Sequence, residues 1–240
     1  MNDFIGAPLT LLELCIQASE MTIQIDVPTW VEMRDKSKAI ENINRTQPTK
    51  VGDLLTRILM TDNPSIGLIL ARETHLLKYI LPELDSCYGV GQTRKTAQMD
   101  VFTHTMLALE ASEKAEHIRW AVLFHDVGKP ETFELDEGGQ IHFFKHELVG
   151  ARIARQYLKR YRRSQEFINK VVGLITYHMF DADPKLTPKG VRRLIRRVGT
   201  ENIYDLLKIR EADRKGTINP PSMDKIKLLR SKIDKELQNA

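Results

Sequence analysis

The stretch AVLFHDVGKPETF, residues 121–133, decides how this chain is built. It opens as an apolar helical run and breaks at Gly128-Lys129-Pro130, with a histidine and an aspartate side by side just before the break. His125 falls three residues after Val122 and four after Ala121, so it shares their inward face. Asp126 stands next to that stripe. A buried carboxylate is costly unless a cation or strong donors compensate it. The question is what else the chain brings to the same place.

Outward from this point, helical periodicity dominates and strand-like alternation is almost absent. Helices are expected at roughly 101–115, 118–127, 145–162, 165–179, 188–198, 201–214 and 223–238. Upstream, Ile66, Leu70, Leu76 and Ile80 continue helical stripes, with Asn63 placed to cap and Pro64 at a first helical position. Ser164 and Thr187-Pro188 are further helix starts. Residues 83–98 lose the apolar period and read as a loop, and Gly89-Val90-Gly91 is too short for a dinucleotide fingerprint. Residues 131–144, with Gly138-Gly139 between short apolar pieces, read as an extended excursion or small hairpin.

Other helices repeat the placement of His125. His104 lies three residues from both Val101 and Leu107; His178 continues Val171, Leu174 and Ile175. Asp213 follows Leu206 and Ile209, and His146 precedes Val149 and Ile153. A lone histidine on an apolar stripe is more often a hydrogen-bonded core residue than a ligand. Histidines and aspartates facing inward from several helices, however, are how a bundle builds a metal site in its core. Imidazole with carboxylate suits Mn, Fe, Co, Ni or Zn better than an all-oxygen magnesium site, although magnesium is admissible.

Composition sets the limits. With 42% hydrophobic and 28% charged residues, the chain is an ordinary globular mixture rather than a disordered or membrane-spanning one. Cys15 and Cys87 sit in apolar stretches and read as buried thiols of a reducing cytoplasm. No signal peptide is recognisable, and a cytoplasmic location is expected. The net charge of +4 is less telling than its clustering: six Arg/Lys at 152–163 and five at 189–197. Such runs attract phosphate-bearing ligands or RNA, or are simply solvated helix faces.

The order His104, His125-Asp126, Asp213 resembles the H…HD…D signature of the HD superfamily of metal-dependent phosphohydrolases. More narrowly, the chain resembles the body of bacterial HD-containing tRNA nucleotidyltransferases, the CCA-adding and poly(A)-polymerase-like enzymes. The similar stretches are LLKYILPEL (76–84), DVFTHTMLAL (100–109), AVLFHDVGKPETF (121–133) and HFFKHELVGARIA (142–154), followed by HMF (178–180) and GVRRLIRRVGTENIYDLLKIREAD (190–213).

The resemblance implies an all-α fold, a helical HD bundle behind an N-terminal helical neck. Its expected division is 1–90 as neck, 91–216 as HD domain and 217–240 as a C-terminal helix packing on the body. It implies a first metal on His104, His125, Asp126 and Asp213, and a second completed by His146 and His178 with Asp126 bridging. The implied activity is hydrolysis of phosphate esters of nucleotides or RNA 3′ ends, of 2′,3′-cyclic phosphodiesterase or phosphatase type, by metal-bound hydroxide. Lys129 is the expected partner of the transferring phosphoryl group, with Arg152, Arg192 and Arg193 as further substrate contacts.

Departures from the family pattern shape the expectation. No counterpart of its nucleotidyltransferase head, with a Gly-Ser loop and paired aspartates, is recognisable, so the chain is expected to be a hydrolytic half. Where the family has arginines spaced along a nucleotide-reading helix, IGAPLTLLELCIQAS (5–19) has none and carries Glu13. That counts against the chain being the body subunit of a split nucleotidyltransferase, while a non-catalytic tRNA- or RNA-binding remnant is the other alternative. The loop 92–99 lacks a family histidine and Tyr177 replaces another, and both changes bear on the second metal.

Overall fold

The periodicity resolves into fourteen helices and one hairpin among the described residues, 7–92, 99–180 and 186–239, of a computed structural model. The N-terminal set is α1 (Thr10–Met21), α2 (Val27–Lys36), α3 (Ala39–Thr46), α4 (Pro48–Leu59), α5 (Pro64–Glu73), α6 (Leu76–Ile80) and α7 (Pro82–Asp85). Then come α8 (Val101–Glu110), α9 (Glu116–Phe124) and the strands β1 (Phe133–Leu135) and β2 (Ile141–Phe143). The chain continues with α10 (His146–Arg160), α11 (Gln165–Tyr177), α12 (Pro188–Val198), α13 (Ile203–Lys215) and α14 (Asp224–Gln238). The all-helical expectation holds, and 131–144 is the expected small hairpin.

Local chemistry sets the helix ends. The Ser164 and Thr187 hydroxyls accept from the backbone N–H groups of Phe167 and Gly190, capping α11 and α12. Asn63 does not cap α5: its amide donates to Thr22 Oγ1 instead, although Pro64 does open the helix. The 83–98 segment is not loop from its start, because Pro82 sets one helical turn through Asp85. Helix α8 stops at Glu110, short of the expected 115; the Ser112 hydroxyl donates to the Leu109 carbonyl and closes its last turn. Helix α9 stops at Phe124, so His125 and Asp126 lie on a tighter turn whose N–H groups reach back only three residues: Val127 to Phe124 and Lys129 to Asp126. Of the expected departure at 92–99, residues 93–98 lie outside those described.

The buried apolar residues form one continuous core that includes α1 through α14. An aromatic ladder stands at its centre. Trp120 stacks on Phe124 at 5.7 Å, Phe124 on Tyr157 at 5.9 Å, and Tyr161 closes the group against Trp120 at 6.1 Å. Arg119, only 4% exposed, ties α9 to the N-terminal set. Its guanidinium donates to the carbonyls of Leu59 and Thr61, groups that the end of α4 leaves without helical partners.

Two glycines position the His-Asp turn against α10. A Cβ on Gly128 would lie 2.8 Å from the Gly150 nitrogen, and one on Gly150 would lie 2.8 Å from the Phe124 carbonyl oxygen. Only hydrogen at both positions lets the turn abut the first turns of α10, where His146 stands.

Candidate metal centre

Four histidines and two aspartates converge where α8, α9, α10, α11 and α13 meet. His104 comes from the middle of α8, the His125-Asp126 pair from the end of α9, and His146 from the first residue of α10. His178 caps the end of α11, and Asp213 lies in the last turn of α13. All four imidazoles and Asp126 are buried, and the Asp213 side chain is 18% exposed.

Each histidine is anchored identically. Its Nδ1 sits against a backbone carbonyl: His104 on Gly216 at 2.9 Å, His125 on Val122 at 2.7 Å, His146 on Phe143 at 2.8 Å and His178 on Ile175 at 2.7 Å. A carbonyl can only accept, so every Nδ1 carries the proton. In the neutral ring Nε2 is then a bare lone pair, and all four aim inward. His104 Nε2 and His125 Nε2 face each other at 3.2 Å. His146 Nε2 lies 3.2 Å from Asp126 Oδ1, yet is buried without a directed hydrogen bond. Lone pairs converging in this way need a cation between them, a proton or a metal ion. Anchoring of the far ring nitrogen is also the outer-shell pattern of histidine metal ligands.

Asp126 divides its two oxygens between two groups. Oδ2 lies 3.4 Å from His104 Nε2 and 3.3 Å from His125 Nε2; Asp213 Oδ1 joins this side at 3.1 Å from His104. Oδ1 faces His146 at 3.2 Å and His178 at 3.8 Å. Two sets of donor atoms result, His104 with His125 and Asp126, and Asp126 with His146 and His178, each compact enough to hold an ion. The residues therefore fit one divalent metal, or two sharing Asp126.

The electrostatics follow from packing positive and negative groups away from water. Burial alone would pull His125 down, but the Asp126 and Asp213 carboxylates override it and raise its pKa to about 10. Burial likewise works against ionised Asp126 and Asp213, yet His125 and Lys129 hold the first well below the usual carboxylate range. The His104 and His125 rings that face Asp213 do the same for the second. His178 is pushed down to about 3, first by burial and then by the charge on His125. Without a metal, a proton on His125 thus occupies the space between the carboxylates.

Lys129 is at the centre, with Nζ 2.6 Å from Asp126 Oδ2. Two further residues join the centre that the sequence reading did not name. Gln92 accepts from Lys129 Nζ at 2.9 Å, and Arg210 donates to Asp213 Oδ2 at 2.6 Å. Arg210 could have been found, since three residues along a helix bring side chains together; Gln92 sits in aperiodic sequence. The other cations are engaged elsewhere: Arg152 binds Glu131 at 2.7 Å and Arg192 binds Glu236 at 2.6 Å, both half-exposed, while Arg193 is an exposed residue of α12. No contact among the described residues links these three to the histidine cluster. Cys15 and Cys87 are buried free thiols. No helix among the described residues is long and apolar enough to cross a membrane.

Comparison with known proteins agrees with this geometry. Residues 99–217 match the HD domain family, and residues 24–88 match the family described as the probable RNA and SrmB-binding site of polymerase A. The CC-adding tRNA nucleotidyltransferase of Thermus thermophilus is 36% identical over 177 residues, 70% of this chain and 39% of that protein. The A-adding tRNA nucleotidyltransferase of Deinococcus radiodurans is 32% identical over 73% of this chain and 41% of its own length. The multifunctional CCA protein of Actinobacillus pleuropneumoniae is 26% identical over 80% and 49%. The matched region is thus less than half of each of these relatives. Residues 99–217 are an HD domain, preceded at 24–88 by a segment of that polymerase A family, and the chain is a relative of the tRNA nucleotidyltransferases, similar to their body region.

Proposed function

We propose that this chain is a metal-dependent phosphohydrolase acting on phosphate esters of nucleotides or RNA ends. The observation that carries the proposal is the convergence of four imidazole Nε2 atoms on two ionised carboxylates. His104, His125, Asp126 and Asp213 would hold a first ion, and His146 and His178, with Asp126 shared, a second. The imidazole-rich donor set favours Mn, Fe, Co, Ni or Zn. A divalent ion bound there supplies Lewis acidity, bringing the pKa of a bound water toward neutrality and polarising a phosphoryl oxygen.

The side chains do the rest. The backbone anchors on each Nδ1 keep every Nε2 aimed inward, where a metal can take it once the proton held by His125 is displaced. Arg210 holds Asp213 in place through its second oxygen. Lys129, tethered between Asp126 and Gln92, presents an ammonium to the charge that builds on the phosphoryl oxygens during displacement. The 24–88 match supports RNA as the carrier of the phosphate, and the relatives' action on tRNA makes a tRNA end the first substrate to try.

Metal content and turnover of bis(p-nitrophenyl) phosphate and 2′,3′-cyclic AMP with Mn, Ni or Co test the reading. Metal-containing wild type that turns over, with activity lost in Asp126→Ala, supports it. Protein that takes up no metal, hydrolyses neither ester and binds tRNA tightly would instead be an RNA-binding module.

A further inference from the structure

The hairpin beside the centre leaves part of an apolar face exposed. Its register pairs Phe133 with Phe143 and Leu135 with Ile141, which puts these four side chains on one face and Glu134 and His142 on the other. The two phenylalanine rings meet edge to face at 5.9 Å. Phe133 is 42% and Leu135 60% exposed, while Ile141 and Phe143 are half-buried, so the core leaves the β1 half of this face open. Yet Phe143 reaches the centre twice. Its carbonyl holds His146 Nδ1 at 2.8 Å, and its ring centroid lies 5.4 Å from Lys129 Nζ.

We infer that this face, Phe133 and Phe143 flanked by Leu135 and Ile141, is the stacking platform for the nucleobase of the nucleotide whose phosphate meets Lys129. The inference rests on the hydrolase reading above and adds how the substrate's other end is held. In a nucleotide the base stands one sugar away from its phosphate, and here an aromatic surface adjoins the ammonium assigned to the phosphate. Charge complements it at one end of the ligand and an apolar face at the other. Stacking uses the π-face that every base has, so the platform selects nucleotides over base-free esters without reading sequence.

The test uses the whole chain and 2-aminopurine riboside 3′-monophosphate, whose fluorescence is quenched when its base stacks. Wild type quenches the probe. In Phe133→Ala and in Phe133→Leu, which keeps an apolar side chain in the hairpin, its Kd rises about tenfold, and Phe133→Trp restores binding. In parallel, the ratio of kcat/KM for 2′,3′-cyclic AMP to that for glycerol 1,2-cyclic phosphate, which has no base, falls about tenfold in both weakened variants. Equal quenching and an unchanged ratio in both variants would overturn the inference. So would a wild-type dimer in sedimentation that Phe133→Ala converts to monomer with probe binding intact, since the face would then belong to a second copy. Quenching without hydrolysis of either ester sinks the hydrolase reading and leaves the platform standing; hydrolysis without quenching does the reverse.

Discussion

Lys129 holds its ammonium 2.6 Å from Asp126 Oδ2, three residues along the tight turn that ends α9. The lysine is thus fixed by the same carboxylate that joins the two donor sets. Lys129→Met is expected to lower kcat by about a hundredfold or more while the protein keeps its full metal content, because the ammonium acts on the phosphoryl group and is no ligand. Metal analysis beside steady-state kinetics checks this; a loss of metal in step with activity would give the lysine a different role.

Asp126→Asn keeps the shape of the side chain but removes its charge from both donor sets. Turnover should fall by at least about a hundredfold, the upper range for losing mere supporting partners of a metal ligand, and bound metal should fall with it. Inductively coupled plasma analysis of purified variant and wild type reads the difference.

The pH behaviour of the metal-free protein follows from two histidines shifted in opposite directions. His125 is raised to about 10, so its contribution to stability is complete below its unfolded value near 6.5 and is lost as pH climbs toward 10. His178 is lowered to about 3, so its contribution is present above about 6.5 and is lost as pH falls toward 3. With chelator present, the urea midpoint should pass through a maximum near neutrality. Metal uptake must displace the proton of His125, so apparent affinity should rise by about tenfold per pH unit across the neutral range. Affinity independent of pH would contradict this.

Gly128→Ala puts a methyl group where the His-Asp turn abuts α10. The cost expected from overpacking is about 1–3 kcal/mol, and the turn should move away from His146. If two ions bind wild type, calorimetric titration should then show the second site weakened more than the first.

Arg119→Met leaves the Leu59 and Thr61 carbonyls buried without their donor. The expected loss is about 2–4 kcal/mol in urea unfolding, with metal content per folded molecule unchanged.

The inward stripes of α8, α9, α11 and α13 were legible because each ligand-type residue keeps helical spacing with buried aliphatic neighbours, as His104 does with Val101. Other features left no such trace. Asn63 does not cap α5 because its side chain turns to a long-range partner, its Nδ2 donating to Thr22 Oγ1. The runs of arginine gave charge but not direction: Glu131 and Glu236, distant in sequence, take Arg152 and Arg192 away from the cluster. Gln92 could not be singled out, since a loop has no period to say where its side chains point.

The four carbonyls that orient the imidazoles belong to Gly216, Val122, Phe143 and Ile175, and none of these contributes a side-chain group to the anchor. A peptide oxygen is the same in every amino acid, so point mutation at these positions cannot delete it while the helix ends stay in place. Ring orientation is inherited from the path of the main chain, not from a set of accessory residues that must be preserved one by one. Replacing the side chains of these four residues should therefore leave the aim of the imidazoles unchanged wherever the path of the main chain is kept.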